Sequence, residues 1–239
     1  MKGYVIYLPK SKRSTKLAKA TKKNALANIG VDIELWTGVD RYEGWDKLTS
    51  LNLELKDFSR FGGGHADAEI ATFFSHRSLW EKCIELNENI LVLEHDAIFT
   101  NKVEEDFSNF KGDILNLGKP NWGSHKPADF SERGIGIVKR PKCKKEHDPY
   151  GYGLNETCTC DTIWLFGAHA YVVTPKGAKK LIKKSNKEGI LPADVFISID
   201  TVSIADYLPH SVIQDKNYSF VQKNAIYKNQ RISKLAWDY

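Results

Sequence analysis

Two carboxylates that follow an apolar run are the residues of this sequence with the clearest chemical potential. Residues 90–93 have the length and composition of a buried strand, and Glu94, His95 and Asp96 come directly after them. Open α/β sheets bind their ligands at the carboxyl ends of strands. In extended geometry Glu94 and Asp96 share a face and can converge on one hard divalent cation, which can neutralise a diphosphate. We therefore predict a metal site with Asp96 and Glu94 as ligands.

Each of these three residues also has a second interpretation. An acidic turn without a ligand is the simplest alternative for the pair. Glu94 could instead brace the loop or accept a hydrogen bond from a ribose hydroxyl. His95 alternates with the carboxylates along the chain and would point away from their shared face, but it could still contact a ligand or the metal.

A helix predicted over residues 67–87 brings further polar groups toward the same place. Its apolar residues recur at helical spacing and define a wide buried face. Glu69, near its start, is a candidate to face the pocket, with a capping or salt-bridge role as the alternative. Ser75 and His76 would lie behind the site, where a buried histidine is as readily a hydrogen-bonded core group as a ligand.

The second half of the chain offers a general base and a further metal ligand. Asp194 follows Pro192 and precedes an apolar helical run, which is typical of a helix N-cap. It could instead remove the proton from an attacking hydroxyl, with Asp161 and Asp200 as competitors for that role.

A strand predicted around residues 212–213 has two more candidates beside it. Gln214 or His210 could supply a last contact to a metal or diphosphate. His210 would be the third ligand of the site that Glu94 and Asp96 begin.

Three cysteines and a histidine in one long segment suggest a separate structural site. Cys143, His147, Cys158 and Cys160 are residue types that suit a tetrahedral zinc ion, although their spacing matches no strong zinc signature. A disulfide between Cys143 and one of the later pair is an alternative in an oxidising compartment. Free thiols are the default in a reducing one.

The elements that must position these residues alternate between strands and helices, which predicts an α/β layer fold. Strands are predicted at 3–8, 31–36, 90–93, 113–118, 163–174 and around 212–213, and helices over 11–28, 67–87, 103–110, from 175 and over 195–207. Gly30 is expected to end the first helix. Residues 40–65 are predicted to be loop-rich, with a mobile loop at 62–64. We expect a single domain over residues 1–239, with a long loop insertion around 119–161.

The bulk composition is that of a globular protein with a substantial core. Of 239 residues 41% are hydrophobic and 27% are charged, and the net charge is +5. Lysines cluster in the first helix, at 139–145 and at 176–187; such clusters can bind nucleic acid, but lysine-rich helix faces are usually solvated, so nucleic acid is not the expected partner. No apolar stretch is long enough to span a bilayer, and residues 1–8 are interpreted as a strand rather than a signal peptide. The expected location is the cytoplasm, that of the host if the gene is viral; the oligomeric state stays open.

Four blocks of sequence, in order along the chain, resemble the motifs of one enzyme family. They are residues 4–8 with Arg13 and then 37–40; residues 69–80, which run into 91–97; residues 113–118; and residues 167–178, followed by 192–194, Pro209 and Gln214. The second block resembles G-E-I-G-C-x-L-S-H-x-x-x-W followed by L-x-L-E-D-D-A. Together the blocks resemble glycosyltransferase family 25, the group of lipooligosaccharide and collagen galactosyltransferases.

The resemblance implies both a fold and a reaction. The fold is GT-A-like, with a Rossmann-like central sheet flanked by helices. The reaction is transfer of a hexose, galactose or glucose, from a UDP-sugar to a hydroxyl of a glycan or protein, with manganese or another divalent cation and with inversion at the anomeric carbon. The implied donor contacts are Leu8, Thr37, Asp40, Glu69, Glu94, His95 and Gln214, and the implied base is Asp194.

One departure from the family pattern leaves room for other functions. The central Asp of the family's E-D-D is His95 here; a neutral imidazole can bind manganese but adds no negative charge. The alternatives are a module that binds a nucleotide sugar or glycan without turnover, and a glycosyltransferase that acts on nucleic acid.

Overall fold

A computed structural model of the chain describes residues 1–56, 66–120, 134–140, 163–166 and 168–215. Its strands are β1 (Lys2–Tyr7), β2 (Asp32–Thr37), β3 (Ile90–Glu94), β4 (Ala97–Phe99), β5 (Ile114–Asn116), β6 (Gly136–Lys139), β7 (Ala170–Val173), β8 (Ile204–Leu208) and β9 (Val212–Gln214). Its helices are α1 (Lys12–Ile29), α2 (Arg41–Ser50), α3 (Ala66–Leu86), α4 (Pro175–Glu188) and α5 (Ala193–Phe196), with a 3-10 turn over Phe107–Asn109. The predicted α/β class is confirmed.

Within the described residues, seven strands form one mixed sheet in the order β2-β1-β3-β7-β5-β8-β6. The strands β1, β2, β3, β5 and β8 run in the same direction, whereas β6 and β7 run against them. Because parallel strands end at the same edge of a sheet, Thr37, Glu94 and Asn116 are brought to one side of the molecule. A separate antiparallel pair, β4 with β9, sets Ala97 opposite Gln214 next to that edge.

Alternating residues of the central strands build a core on each face of the sheet. Tyr4, Val92 and Tyr171 contribute to a cluster with the apolar faces of α3 and α4. On the other face Val5 and Leu91 pack with residues of α1 and of the turn over Phe107–Asn109. This alternation follows from the pleat of a strand, and it fixes which side chains of β3 and β7 can face α3.

Local signals in the sequence set the ends of several helices. Ser11 caps α1 by accepting a hydrogen bond from the backbone N–H of Ser14, and Gly30 ends it with φ of 66°, as predicted. Thr174 caps α4, and Pro175 occupies its first turn, where its missing N–H costs nothing. The predicted helix over 67–87 is confirmed as α3.

Three predictions about elements are wrong. The region 40–65, predicted to be loop-rich, contains α2, which is fixed by a capping box between Asp40 and Glu43. The helix predicted over 195–207 is only the four residues of α5, and its second half contains the buried strand β8. The helix predicted over 103–110 is reduced to the 3-10 turn.

The long insertion at 119–161 holds one described strand, β6, at the edge of the sheet. The other residues of the insertion lie outside the described residues except at its first two positions and at residues 134, 135 and 140. No helix within the described residues is both long and apolar enough to cross a membrane. A single domain over residues 1–239 stays a prediction.

Candidate active site

The acidic pair lies at the carboxyl edge of the sheet, where the sequence placed it. Glu94 is the last residue of β3, and Asp96 stands in the turn that joins β3 to β4. The prediction that the two share a face of an extended strand is therefore wrong, because the chain turns at His95. Burial is the first cause of the raised pKa of Asp96 and the charge of Glu94 is the second, so the two carboxylates still interact.

Glu94 is held from behind by a buried histidine. The Nε2 atom of His76 lies 3.3 Å from Oε1 of Glu94, and the Glu94 side chain remains 25% exposed. Burial opposes the charged form of Glu94, but its pKa is lowered, and the hydrogen bond from His76 is the largest cause that acts in this direction. Glu94 is therefore an ionised carboxylate with one side turned toward open space.

Asp96 is buried, and half of its carboxylate is unused. Its Oδ2 accepts a hydrogen bond of 3.2 Å from Nε2 of Gln214, whereas Oδ1 has no hydrogen-bond partner among the described residues. Burial, followed by the charge of Glu94, raises the pKa of Asp96 to about 7. A cation beside the two carboxylates would satisfy the unpartnered oxygen and favour the ionised form, so these residues fit a hard divalent ion.

The third predicted metal ligand belongs to a different cluster. The Nε2 atom of His210 lies 3.5 Å from Oδ1 of Asp206 and 3.4 Å from Nδ2 of Asn116. In the described part of the chain no group of three or more His, Cys, Asp or Glu side chains is arranged to hold a metal ion. The metal site, and the place of His210 in it, stay predictions.

Two further carboxyl groups, Asp194 and Glu69, adjoin Glu94. The N-cap interpretation of Asp194 is wrong: Pro192 occupies that position, and Asp194 lies within the first turn of α5. Burial and then the charge of Glu94 raise the pKa of Asp194 to about 6. Burial and then the charge of Asp194 raise the pKa of Glu69 to about 7, and Oε2 of Glu69 has no hydrogen-bond partner among the described residues. A carboxyl group with a pKa near neutrality suits a general base.

The residues predicted to contact a donor at the ends of β1 and β2 have different local roles. The backbone N–H of Leu8 donates to Oγ of Ser14, and Thr37 is the exposed last residue of β2. Both carboxylate oxygens of Asp40 are engaged, one by the capped backbone of α2 and one by Lys10 at 3.0 Å. Hydrogen bonding to the backbone of Glu43 is the first cause of the lowered pKa of Asp40.

The segment between Thr37 and Asp40 is fixed by α3. Oγ of Ser75 accepts a 2.8 Å hydrogen bond from the backbone N–H of Val39, and Gly38 donates to the carbonyl of Tyr7 at 2.7 Å. A Cβ at Gly38 would approach Ser75 Oγ and the Tyr7 carbonyl to 3.2 Å. Ser75 therefore positions this part of the site rather than reacting in it.

The backbone of His95 is hydrogen-bonded to α1. Its carbonyl accepts a hydrogen bond of 2.6 Å from Oγ1 of Thr21. Burial, with a smaller contribution from the charge of Arg13, lowers the pKa of His95 despite the nearby Glu94. The imidazole is therefore kept neutral, which is the form that binds metals.

The structure adds two residues that the sequence argument missed. His169 directly precedes β7, is 1% exposed, and has an Nδ1 atom without a hydrogen-bond partner in the described residues. Burial lowers its pKa, and the nearby Glu94 opposes that effect. Tyr171 lies beneath His76 in the core. Both stand in an apolar run, where only their polar atoms distinguish them from core residues.

Several predicted features fall outside the described residues. They are the zinc candidates Cys143, His147, Cys158 and Cys160, the loop at 62–64, and the competing base Asp161. The other competing base, Asp200, is exposed. Cys83 is a free, buried thiol whose Sγ donates to the carbonyl of Glu88, and burial raises its pKa to about 12.

Comparison with known proteins now identifies the class. The profile of glycosyltransferase family 25 (LPS biosynthesis protein) matches residues 1–197. The chain belongs to this family, as the four sequence blocks indicated.

Curated relatives support the same assignment. The chain is 27% identical over 188 residues to a "Glycosyltransferase 25 family member" of Aedes aegypti, a match that covers 74% of this chain and 27% of the relative. It is 25% identical over 167 residues to a "Procollagen lysyl hydroxylase and glycosyltransferase" of Acanthamoeba polyphaga mimivirus, covering 64% of this chain and 16% of the relative. The chain thus matches about a quarter or less of the length of these relatives.

Among solved structures, two of the galactosyltransferase LgtC resemble the chain. One, in complex with donor and acceptor sugar analogues, has a TM-score of 0.44 and 9% identity, covering 90% of this chain and 86% of that one. The other, an active-site mutant, has a TM-score of 0.46 and 10% identity, covering 92% and 88%.

Proposed function

We propose that this chain transfers a hexose from a UDP-sugar to a hydroxyl of a glycan or protein acceptor, with inversion at the anomeric carbon. The observation that supports this most is the pair Glu94 and Asp96 at the carboxyl edge of the sheet, in a chain of glycosyltransferase family 25, where one buried oxygen of Asp96 has no hydrogen-bond partner in the part of the chain that the structure describes. Galactose and glucose are the two candidate sugars. Leu8, Thr37, Glu69, His95 and Gln214 are proposed to border the donor.

Glu94 and Asp96 would hold manganese or another divalent cation, with Gln214 orienting Asp96 through its hydrogen bond. When bound, the cation neutralises charge that develops on the departing diphosphate. Burial and then the negative charge of Glu94 raise the pKa of Asp96 and of Asp194. A cation there would favour ionisation of both groups, which prepares the site for a base on the acceptor side.

Asp194 is proposed as that base. The acceptor oxygen attacks the anomeric carbon on the face opposite the diphosphate, and the bond between sugar and UDP breaks as the new one forms. Asp194 takes the hydroxyl proton, so that the products are the inverted glycoside and UDP. Its pKa of about 6 keeps it deprotonated at neutral pH yet basic enough to accept the proton.

The first experiment is a panel of UDP- and GDP-sugars scored for nucleotide release, with and without manganese, on the wild type and on Asp96→Asn. We expect manganese-stimulated release from a UDP-hexose, and its loss in Asp96→Asn, because an amide cannot replace an anionic ligand. Asp32→Asn, an exposed carboxylate at the amino end of β2, is the matched control and is expected to behave as the wild type.

Two results would contradict this function. Full manganese-stimulated activity in Asp96→Asn would remove the metal assignment. Binding of a UDP-hexose by calorimetry without any release of UDP would instead favour a non-catalytic binding module, for which the neutral His95 in place of an aspartate is the motivating feature.

A further inference from the structure

A chain of buried hydrogen bonds leads from the core to Glu94. Nε1 of Trp80 donates to Oη of Tyr171 at 2.9 Å, Oη of Tyr171 lies 3.0 Å from Nδ1 of His76, and Nε2 of His76 lies 3.3 Å from Oε1 of Glu94. Trp80, Tyr171 and His76 are all 0% exposed. The chain therefore connects α3, β7 and β3, and only its end at Glu94 is partly exposed to solvent.

The direction of each hydrogen bond follows from counting hydrogens. An indole N–H can only donate, so Tyr171 accepts from Trp80. Burial raises the pKa of Tyr171, so its hydroxyl keeps the one hydrogen that it can donate. The acceptor placed at 3.0 Å is Nδ1 of His76, which must then carry a lone pair. The imidazole proton is left on Nε2, facing Glu94.

The other assignments of His76 are poorer. A proton on Nδ1 alone would point at the Tyr171 hydroxyl and turn the Nε2 lone pair toward the carboxylate of Glu94. An imidazolium would place two hydrogens between Nδ1 of His76 and Oη of Tyr171. The hydroxyl hydrogen of Tyr171 would then have no acceptor among the described residues. Only the neutral ring with its proton on Nε2 satisfies all three hydrogen bonds.

Packing keeps this geometry fixed. The rings of His76 and Tyr171 stack with centroids 5.8 Å apart and planes 20° apart. Trp80 is enclosed by Phe73 in an edge contact at 5.6 Å and by Phe196 in a stacked contact at 6.0 Å. Close packing of this kind restricts side-chain rotation, which favours one direction of approach of the His76 N–H to Glu94.

We propose that Tyr171 and His76 are positioning residues, which present one N–H to Oε1 of Glu94 and thereby leave the other carboxylate oxygen aimed at the cation. This role rests on the proposed function of Glu94. Partners of metal ligands typically change metal affinity or activity by roughly 10- to 100-fold when they are removed.

The tautomer can be tested without any activity. We would record the ¹⁵N resonances of the histidine rings in the intact protein and assign those of His76 by their loss in His76→Gln. We expect a protonated Nε2 and an unprotonated, hydrogen-bonded Nδ1. In Tyr171→Phe, which removes one hydroxyl and no ring, the Nδ1–H form should increase. A wild-type His76 with its proton on Nδ1, or a ring unaffected by Tyr171→Phe, overturns the proposal.

Turnover supplies the second readout. Tyr171→Phe is expected to raise the manganese concentration for half-maximal activation by roughly 10- to 100-fold with little change in melting temperature. His76→Gln, whose amide can still donate near Nε2, should retain more activity than His76→Met. Tyr207→Phe is the control, because the Tyr207 hydroxyl is hydrogen-bonded to Glu105 instead.

The outcomes separate the two proposals. Equal manganese activation in Tyr171→Phe and the wild type overturns the positioning role. If the wild type turns over no sugar nucleotide, the proposed function fails, while the ¹⁵N resonances still decide the tautomer and the effect of Tyr171 on it.

Discussion

The carboxyl groups of the site differ in their pKa values because the ionised form of one of them is stabilised by a hydrogen bond from His76 and that of the others is not. His76 donates to Glu94 and lowers its pKa, whereas burial and the negative charge of Glu94 raise the pKa values of Asp96, which is buried, and of Asp194, which is half-buried. Neighbouring carboxyls with divergent pKa values are typical of acid–base sites. The residue types near Glu94 were predictable from the sequence, but their division into ionised and protonatable groups was not, because it depends on His76 in another element.

At the scale of single residues, substitution of the proposed general base is the most direct test of the mechanism. Asp194→Asn is expected to lower kcat by about 10²- to 10⁴-fold, the usual contribution of a general base, while UDP still binds. The control is Asp200→Asn, the exposed alternative candidate, which should keep wild-type turnover. Steady-state kinetics with calorimetry of UDP binding would check both variants. Loss of activity in Asp200→Asn but not in Asp194→Asn would instead identify Asp200 as the base.

The same assignment fixes a pH dependence. A base acts when deprotonated, and burial raises the pKa of Asp194 to about 6, so kcat/KM should fall as the pH drops below about 6. The profile is measured at several manganese concentrations, from low to saturating. Bound cation would lower this pKa, so the acidic limb should move to lower pH as the manganese concentration is raised. If the acidic limb does not move with manganese concentration, the group that titrates is not close to the bound cation, which would contradict the proposed site.

At the scale of elements, predictability followed the strength of local signals. The helix α3 and the strand β3 have long, regular apolar patterns and were predicted close to their observed bounds. The helix α2 was missed although Asp40 and Glu43 form a capping box, because Gly44 interrupts a short apolar pattern. That glycine lies against α3, where a Cβ would meet the backbone of Ala71 at 3.2 Å. The contact that explains the glycine belongs to the tertiary structure.

The edge strand β6 could not be predicted for a related reason. It is fixed to β8 by a buried ion pair between Arg140 and Asp206, at 2.6 Å, and Arg140 also donates to the carbonyl of Trp164. Asp206 in turn accepts from Asn116 on β5. None of these partners is near Arg140 in the sequence, so only the folded sheet reveals why a charged residue is buried there.

Asp206→Asn should therefore destabilise the fold by about 3–5 kcal/mol, because it leaves the charge of Arg140 buried and unpaired. Burial alone would raise the pKa of Asp206, but hydrogen bonds from Arg140 outweigh it and hold the pKa well below the usual value. The stabilisation is complete above the unfolded pKa of about 3.9 and is lost as the pH falls toward the folded pKa. Urea unfolding at pH 7 and at lower pH should show the gap between variant and wild type narrowing below about pH 4. A constant gap would contradict this account.

At the scale of the whole molecule, the sheet collects at one edge residues that are far apart in the sequence. Glu94, Asp96 and Gln214 meet because β4 pairs with β9, and Asp194 joins them from α5 beside α3. The lysine clusters are distributed differently. Those of α1 and α4 lie on helices that cover opposite faces of the sheet, and most of their side chains are exposed.

This arrangement predicts that the exposed lysines do not guide the acceptor. The triple variant Lys179→Glu, Lys183→Glu, Lys187→Glu reverses the charge along one side of α4. We expect its KM for the acceptor to stay within about twofold of the wild type, because binding of a glycan or protein hydroxyl does not require a row of basic side chains. The matched control on α1 is the triple variant Lys16→Glu, Lys19→Glu, Lys23→Glu, which makes the same change in net charge. KM would be measured between about 50 and 200 mM salt, where an acceptor that makes 6–10 phosphate contacts loses about 10³- to 10⁵-fold in affinity. A steep salt dependence that the α4 variant abolishes and the α1 variant preserves would instead identify a nucleic-acid acceptor bound along α4.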